Sequence, residues 1–181
     1  MMEEYKRLNR TLAYKGTILE VYKDEIEVCN GNTVYYDYIH HKGAAAVLPV
    51  MEDGRLLMVI QYRNAIDRYS IELPAGGLDS ADERPIDCAK RELLEETGYT
   101  AESMEELISI YTTIAFCNEK IPIYVAHIKG EAVEQKLDEN EFVRIRAFTV
   151  EELIEKIYDG TLNDSKTVAA VLAYKNKYCD I

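Results

Sequence analysis

Glu92, Glu95 and Glu96 stand at i, i+3 and i+4 within Arg91-Glu92-Leu93-Leu94-Glu95-Glu96. On a helix advancing about 100° per residue, that spacing gathers three carboxylates within an arc of roughly 100°. They repel one another by a few tenths of a kcal/mol per pair, and a bound hard cation would offset the repulsion. Mg2+ takes oxygen ligands and is commonly shared among carboxylates, waters and phosphate oxygens, so the three glutamates form a partial cage for it. For an isolated E-x-x-E-E, a solvated acidic helix face is the commoner explanation. The surrounding elements must decide.

Those elements are legible. Pro74-Ala75-Gly76-Gly77 ends a strand at Ile71-Glu72-Leu73, and a polar loop leads to Pro85, a residue suited to a first helical turn. Ile86, Ala89, Leu93 and Thr97 recur at helical spacing and Gly98 stands where a C-terminal cap belongs, which predicts a helix over 85–97 with its acids off the core stripe. Short β-prone runs at 17–22, 25–29 and 33–39 precede it, the last two joined by Asn30-Gly31-Asn32 as a hairpin. Ala44–Val50 and Leu56–Tyr62 flank a turn at 52–55. Their nearly continuous apolar character predicts strands covered on both faces, at the centre of the main sheet. Further strands are expected at 107–111, 121–128 and 142–148. Thr149 with Glu152 predicts a capping box opening a helix to Tyr158, and 167–178 reads as a last helix.

The 181 residues suffice for one sizeable core. A surplus of 33 acidic over 21 basic residues gives a net charge of -12, which repels nucleic acid, and no basic stripe counters it. Cys29, Cys88, Cys117 and Cys179 form no C-x-x-C pair, so neither zinc nor a redox motif is suggested. No apolar run approaches the length of about 18 residues that spans a bilayer, and no secretory leader is evident. A cytoplasmic location with no membrane partner is expected.

The context of the glutamates is the string Gly77-x5-Glu83-x7-Arg91-Glu92-Leu93-x-Glu95-Glu96-x-Gly98-Tyr99, nine constrained positions over 23 residues. It matches the Nudix box at every fixed position, and the chain resembles the Nudix hydrolase family. The resemblance implies an α/β fold, a Nudix-type α/β/α sandwich with a mixed β-sheet, plus a small N-terminal antiparallel β segment. It implies that Glu92 and Glu96, with Glu95 and the carbonyl of Ala75, hold Mg2+ or Mn2+, one to three ions. Glu83 and Arg91 would pair to fix the loop against the helix. The substrate implied is a nucleoside diphosphate derivative, split at its diphosphate linkage.

Within the family the chain is similar to the branch that hydrolyses ADP-ribose and other nucleoside diphosphate sugars, through an N-terminal β segment, Gln61-Tyr62-Arg63, and Glu72-Leu73-Pro74-Ala75-Gly76-Gly77. That likeness implies Arg63 as a phosphate contact, with Glu119 also fitting the substrate-binding pattern. It implies an acidic loop, Asp138-Glu139-Asn140-Glu141, carrying the general base, with Glu139 the first candidate and Glu141 the second. It further implies residues 1–41 as a dimerisation element of a homodimer and 42–181 as the hydrolase domain. The sequence departs from the branch at Tyr111-Thr112-Thr113-Ile114-Ala115-Phe116, where ADP-ribose-preferring members carry prolines at the positions of Thr112 and Ile114. ADP-ribose is therefore the first expectation. Another nucleotide sugar, a dinucleotide or a nucleoside triphosphate stands as the alternative, and a non-catalytic nucleotide sensor as a third reading.

Overall fold

A computed structural model describes residues 4–17, 19–80, 82–137, 139 and 142–179. Its internal contacts divide the chain into two compact units, residues 1–43 with 111–120, and residues 44–110 with 121–181.

The first unit is a three-stranded antiparallel sheet, β1 (Lys6–Lys15), β2 (Glu20–Glu27) and β3 (Thr33–His40), in that spatial order. The expected hairpin joins β2 to β3, with Gly31 at φ 83° supplying the left-handed residue its turn requires. Two features differ from expectation. The sequence predicts a break between Tyr22 and Glu25, yet β2 runs through it, because Asp24 is 7% exposed and held by Arg10 at 2.6 Å from both Nε and Nη2. A buried carboxylate paired in this way breaks no ladder. β1 carries no apolar alternation, since nearly all of it is exposed, so only its pairing with β2 reveals it. Residues 111–120 join this unit through the Ile39 amide, which donates to the Phe116 carbonyl at 2.7 Å.

The second unit is built on a mixed sheet of β4 (Ala44–Val50), β5 (Leu56–Arg63), β6 (Arg68–Glu72), β7 (Ala75–Gly77), β8 (Ala101–Tyr111), β9 (Lys120–Ile128) and β10 (Arg144–Phe148). The main order is β10-β5-β4-β9-β8, with β6 added to β5 and β7 to β4. β4 runs parallel to β9 and antiparallel to β5 and β7. Every residue of β4 is buried, and its period-2 alternation feeds two cores. Ala44, Ala46, Leu48 and Val50 pack with Leu153 of α2 (Val150–Tyr158) and Val171 of α3 (Ser165–Tyr178). Ala45 and Val47 pack with Cys88, Ala89 and Leu93 of α1 (Pro85–Thr97) on the opposite face. This is the α/β/α sandwich. Each fully buried Leu or Val contributes about 1.5–3 kcal/mol relative to exposure.

α1 spans the predicted residues, and the Thr149–Glu152 capping box is formed at the start of α2. α3 begins at Ser165, two residues before the expected start, because Asp164 accepts from the Thr167 amide and acts as its N-cap. β8 starts at Ala101 rather than Leu107. There Ala101 and Met104 pack on the α1 side, while Glu102, Glu105 and Glu106 conceal the alternation.

Candidate active site

The site grows from α1 and the strand-loop that faces it. α1 begins with Pro85 at its first turn and ends on Gly98, at φ 74°. Because Cys88, Ala89 and Leu93 fix which face is buried, Glu92, Glu95 and Glu96 turn toward β7. Two of these carboxylates are themselves withdrawn from water, Glu92 at 9% and Glu96 at 2% exposure. Burying a carboxylate is costly unless partners replace its hydration. The Ala75 amide donates to Glu96 Oε2 at 3.0 Å.

Gly76 explains how Glu92 fits. A Cβ at this position would lie 1.9 Å from Glu92 Oε1 and 2.2 Å from its Cδ. The carboxylate therefore rests in the space left by the missing side chain.

Arg91 ties helix to loop. Its Nη1 donates to Glu92 Oε1 at 2.6 Å and Glu95 Oε2 at 3.0 Å, its Nε to Glu83 Oε1 at 3.2 Å, and its Nη2 to the Gly77 carbonyl at 3.0 Å. Burial works against the guanidinium charge, but the hydrogen bonds to Glu83, Glu92 and Glu95 outweigh it and push the pKa above its ordinary value. Glu83 also accepts from the Asp79 amide at 2.6 Å, and that bond together with Arg91 holds its carboxyl below the usual range. Beneath this hub Cys88 is fully buried, its thiol pushed up to about 12 by desolvation, and it donates weakly to the Gly76 and Gly77 carbonyls at 3.5 Å each. It is an inert packing group.

Ala75, Gly76, Gly77, Asp79, Arg91, Glu92, Glu95 and Lys136 line a cleft of about 360 Å³. The donors gathered here are carboxylate oxygens and backbone carbonyls, a hard set that suits Mg2+ or Mn2+ and not a thiophilic metal. Among the described residues no three acidic, His or Cys side chains converge on a cage, and Arg91 bridges Glu92 and Glu95 instead. The all-oxygen donor set, with Glu92 seated in the space that Gly76 leaves, fits a divalent ion.

Ala75, Glu83, Arg91, Glu92, Glu95 and Glu96 are brought together. Glu139 lies on an exposed turn, and Glu141 is outside the described residues. Glu119 belongs to the first unit, where it accepts from Thr112 Oγ1 at 2.7 Å and lies 3.4 Å from His41 Nε2.

Arg63 is held in a fork. Its Nε and Nη2 donate to Glu72 Oε1 and Oε2 at 2.8 and 2.6 Å, and Lys166 Nζ donates to Glu72 Oε2 at 2.7 Å. Desolvation raises the Glu72 pKa, but Arg63 and Lys166 overcome it and hold it at about 2.

Sequence reasoning gave no role to Gly76, Glu72, Lys166 or Lys136. Only Gly76 and Glu72 carried a signal, as members of the quoted run from Glu72 to Gly77. Nothing local marks the lysines. Lys136 reaches the cleft because residues 133–136 run beside the end of α1, with the Val133 amide donating to the Gly98 carbonyl and the Lys136 amide to the Glu95 carbonyl, each at 2.9 Å. Gln135 Nε2 donates to the Glu96 carbonyl as well.

Known proteins resemble the chain in sequence and in fold. The NUDIX domain family model matches residues 40–171. The ADP-ribose pyrophosphatase of Bacillus subtilis is 33% identical over 169 residues, covering 93% of this chain and 91% of that protein. The methanol dehydrogenase activator of Bacillus methanolicus is 37% identical over 171 residues, with coverages of 93% and 91%. The GDP-mannose pyrophosphatase of Cronobacter sakazakii is 31% identical over 139 residues, 72% of each chain. Among solved structures, an ADP compounds hydrolase superposes with a TM-score of 0.84 at 22% identity, covering 97% of this chain and 95% of that one, a likeness of fold.

Proposed function

The chain belongs to the Nudix family, and from that premise we propose that it is a Mg2+-dependent pyrophosphohydrolase acting on a nucleoside diphosphate sugar. ADP-ribose, cleaved to AMP and ribose 5-phosphate, is the first assignment. One observation carries the metal chemistry: Glu92 and Glu96 are buried carboxylates on one helix face, and Gly76 clears the space for the first. Glu92, Glu95, Glu96 and the Ala75 carbonyl are the proposed ligands of one to three ions, Mg2+ or Mn2+. When bound, the metal neutralises diphosphate oxygens and lowers the pKa of the attacking water.

The chain's own groups do the rest. Arg91 and Glu83 hold the loop from Gly77 against α1. Arg63 is the proposed phosphate contact and Glu119 a second substrate-binding residue. Glu139 is proposed as the general base, with Glu141 as the alternative. Water attacks one phosphorus, its proton passes to the base, and the bridging P–O bond breaks to release the two monophosphates. The net charge of -12 opposes nucleic acid as a substrate, and no described helix is long and apolar enough to cross a membrane. The proposed location is the cytoplasm, a reducing compartment that suits the free thiols of Cys29, Cys88, Cys117 and Cys179.

The N-terminal sheet is proposed as the dimerisation element of a homodimer. Leu8, Leu12, Tyr14, Tyr35 and Tyr36 are all exposed on it, and a two-fold interface would cover such side chains.

A second substrate reading is favoured by Thr112 and Ile114, which stand where ADP-ribose-preferring enzymes carry prolines, and by the 31% identity to a GDP-mannose pyrophosphatase. The discriminating experiment presents ADP-ribose, GDP-mannose, other nucleotide sugars, dinucleotides and nucleoside triphosphates with Mg2+, and follows nucleoside monophosphate release. Highest kcat/KM on ADP-ribose supports the first assignment, and preference for GDP-mannose supports the second. Turnover of none of them overturns the enzyme reading.

A further inference from the structure

The fork that holds Arg63 gathers two cations, Arg63 and Lys166, on one buried carboxylate, Glu72, with Asp164 as the second partner of the lysine. Glu72 is 2% exposed and engages Arg63 through both oxygens. A bidentate pair of this kind satisfies both charges, and an arginine so committed offers little to an incoming anion. Lys166 changes the balance. It is 8% exposed, comes from the first turn of α3, and donates to the same Glu72 Oε2 at 2.7 Å.

Its other partner, Asp164 at 3.0 Å, is shared with the start of α3. Asp164 caps α3, accepting from the Thr167 amide at 3.1 Å and its hydroxyl at 2.6 Å, where the helix N-terminus favours negative charge. Thr167 Oγ1 in turn accepts from the Leu73 amide at 2.9 Å, so the start of α3 is bolted to the segment that carries Glu72. Three residues beyond Glu72, the Ala75 amide binds Glu96, a span of at most about 10 Å of chain. Arg63 lies within the electrostatic reach of Glu96.

We propose that Lys166 is a positioning residue that neutralises Glu72, so that Glu72 fixes the orientation of Arg63 without consuming its charge. Arg63 Nε and Nη2 are taken by Glu72, which leaves the Nη1 edge as the face presented to a substrate phosphate. This deepens the functional reading and rests on its assignment of Arg63 to the phosphate. A guanidinium held in a fixed orientation and still charged suits a diphosphate anion better than a free side chain, because less rotamer freedom is lost on binding.

The test is a double-mutant cycle on affinity, read by calorimetry with Mg2+ and the non-hydrolysable probe α,β-methylene-ADP. Lys166→Met removes the charge and keeps the length, and Lys166→Gln keeps a donor for Glu72 without the charge. Each is expected to weaken binding by about tenfold or more, because each leaves the buried Glu72 charge to be answered by Arg63 alone. Lys166→Arg is expected to bind like the parent. In an Arg63→Met background the Lys166 substitutions should add nothing.

Parent-like affinity in Lys166→Met or Lys166→Gln overturns the inference, as does a loss that persists undiminished in the Arg63→Met background, which would mark a structural role. A parent protein that binds no probe overturns it too. Turnover of ADP-ribose by the parent protein is measured alongside. Intact, Lys166-dependent binding without turnover defeats the functional reading and leaves this inference standing, whereas turnover without coupling does the reverse.

Discussion

Replacing Gly76 with alanine isolates the metal site from the fold. The Gly76 backbone lies outside the left-handed region, so alanine meets no conformational strain there. All three of the nearest atoms a new Cβ would meet belong to one flexible side chain, Glu92. The backbone can therefore stay, and the carboxylate must go. Its Oε1 would move from 1.9 Å to at least the 3.4 Å at which ordinary contact begins, a shift of about 1.5 Å. Misplacing a catalytic group by about 1 Å costs on the order of 100-fold, equivalent to about 2.7 kcal/mol of transition-state stabilisation. Gly76→Ala is expected to lower kcat/KM by about 100-fold or more, while thermal unfolding stays within a few degrees of the parent. The assay is AMP release from ADP-ribose at saturating Mg2+, with Mn2+ titration to detect weakened metal binding. Activity within threefold of the parent would refute the reasoning, since the carboxylate would then be dispensable where it now stands.

Further outcomes follow from the same geometry. Glu96→Gln should lose at least about 100-fold in kcat/KM with the fold retained, because the amide keeps an acceptor for the Ala75 N–H but no charge for a cation. Glu72, held at about 2 against an ordinary 4.5, contributes stability that is fully present above pH 4.5 and lost as pH falls toward 2. The contribution is on the order of 3 kcal/mol, and acid titration of Glu72→Gln should show a flatter decline over that window. Gly98→Ala should lower the melting temperature by several degrees, because φ 74° costs a non-glycine residue about 1 kcal/mol or more and a Cβ would meet the Val133 carbonyl oxygen at 2.0 Å.

The sequence disclosed the parts of this protein whose signals are local. α1 could be read from Pro85, the period of Ile86, Ala89 and Leu93, and Gly98, and the box that names the family lies on that helix and its loop. β4 and β5 were legible because burial on both faces leaves an apolar run. Partners distant in sequence were not legible. Asp24 reads as a strand breaker until Arg10, fourteen residues away, is seen to neutralise it. Lys166 reads as a surface residue until the fold sets it on Glu72, ninety-four positions earlier. Arg63 was singled out as a phosphate contact, but its fork with Glu72 depends on the pairing of β5 with β6. Gly76 stood in the quoted run from Glu72 to Gly77, but its task became legible only beside Glu92, the group that fills the place of its missing side chain.

The central claim is divalent metal-dependent hydrolysis of a diphosphate linkage, and the most direct measurement is AMP formed from ADP-ribose by the purified protein with Mg2+, after EDTA, and after Mg2+ is restored. The account predicts AMP and ribose 5-phosphate in equal amounts, abolished by EDTA and recovered with the metal. Turnover undiminished by EDTA, or no nucleoside monophosphate from any nucleoside diphosphate derivative with Mg2+ present, would contradict it.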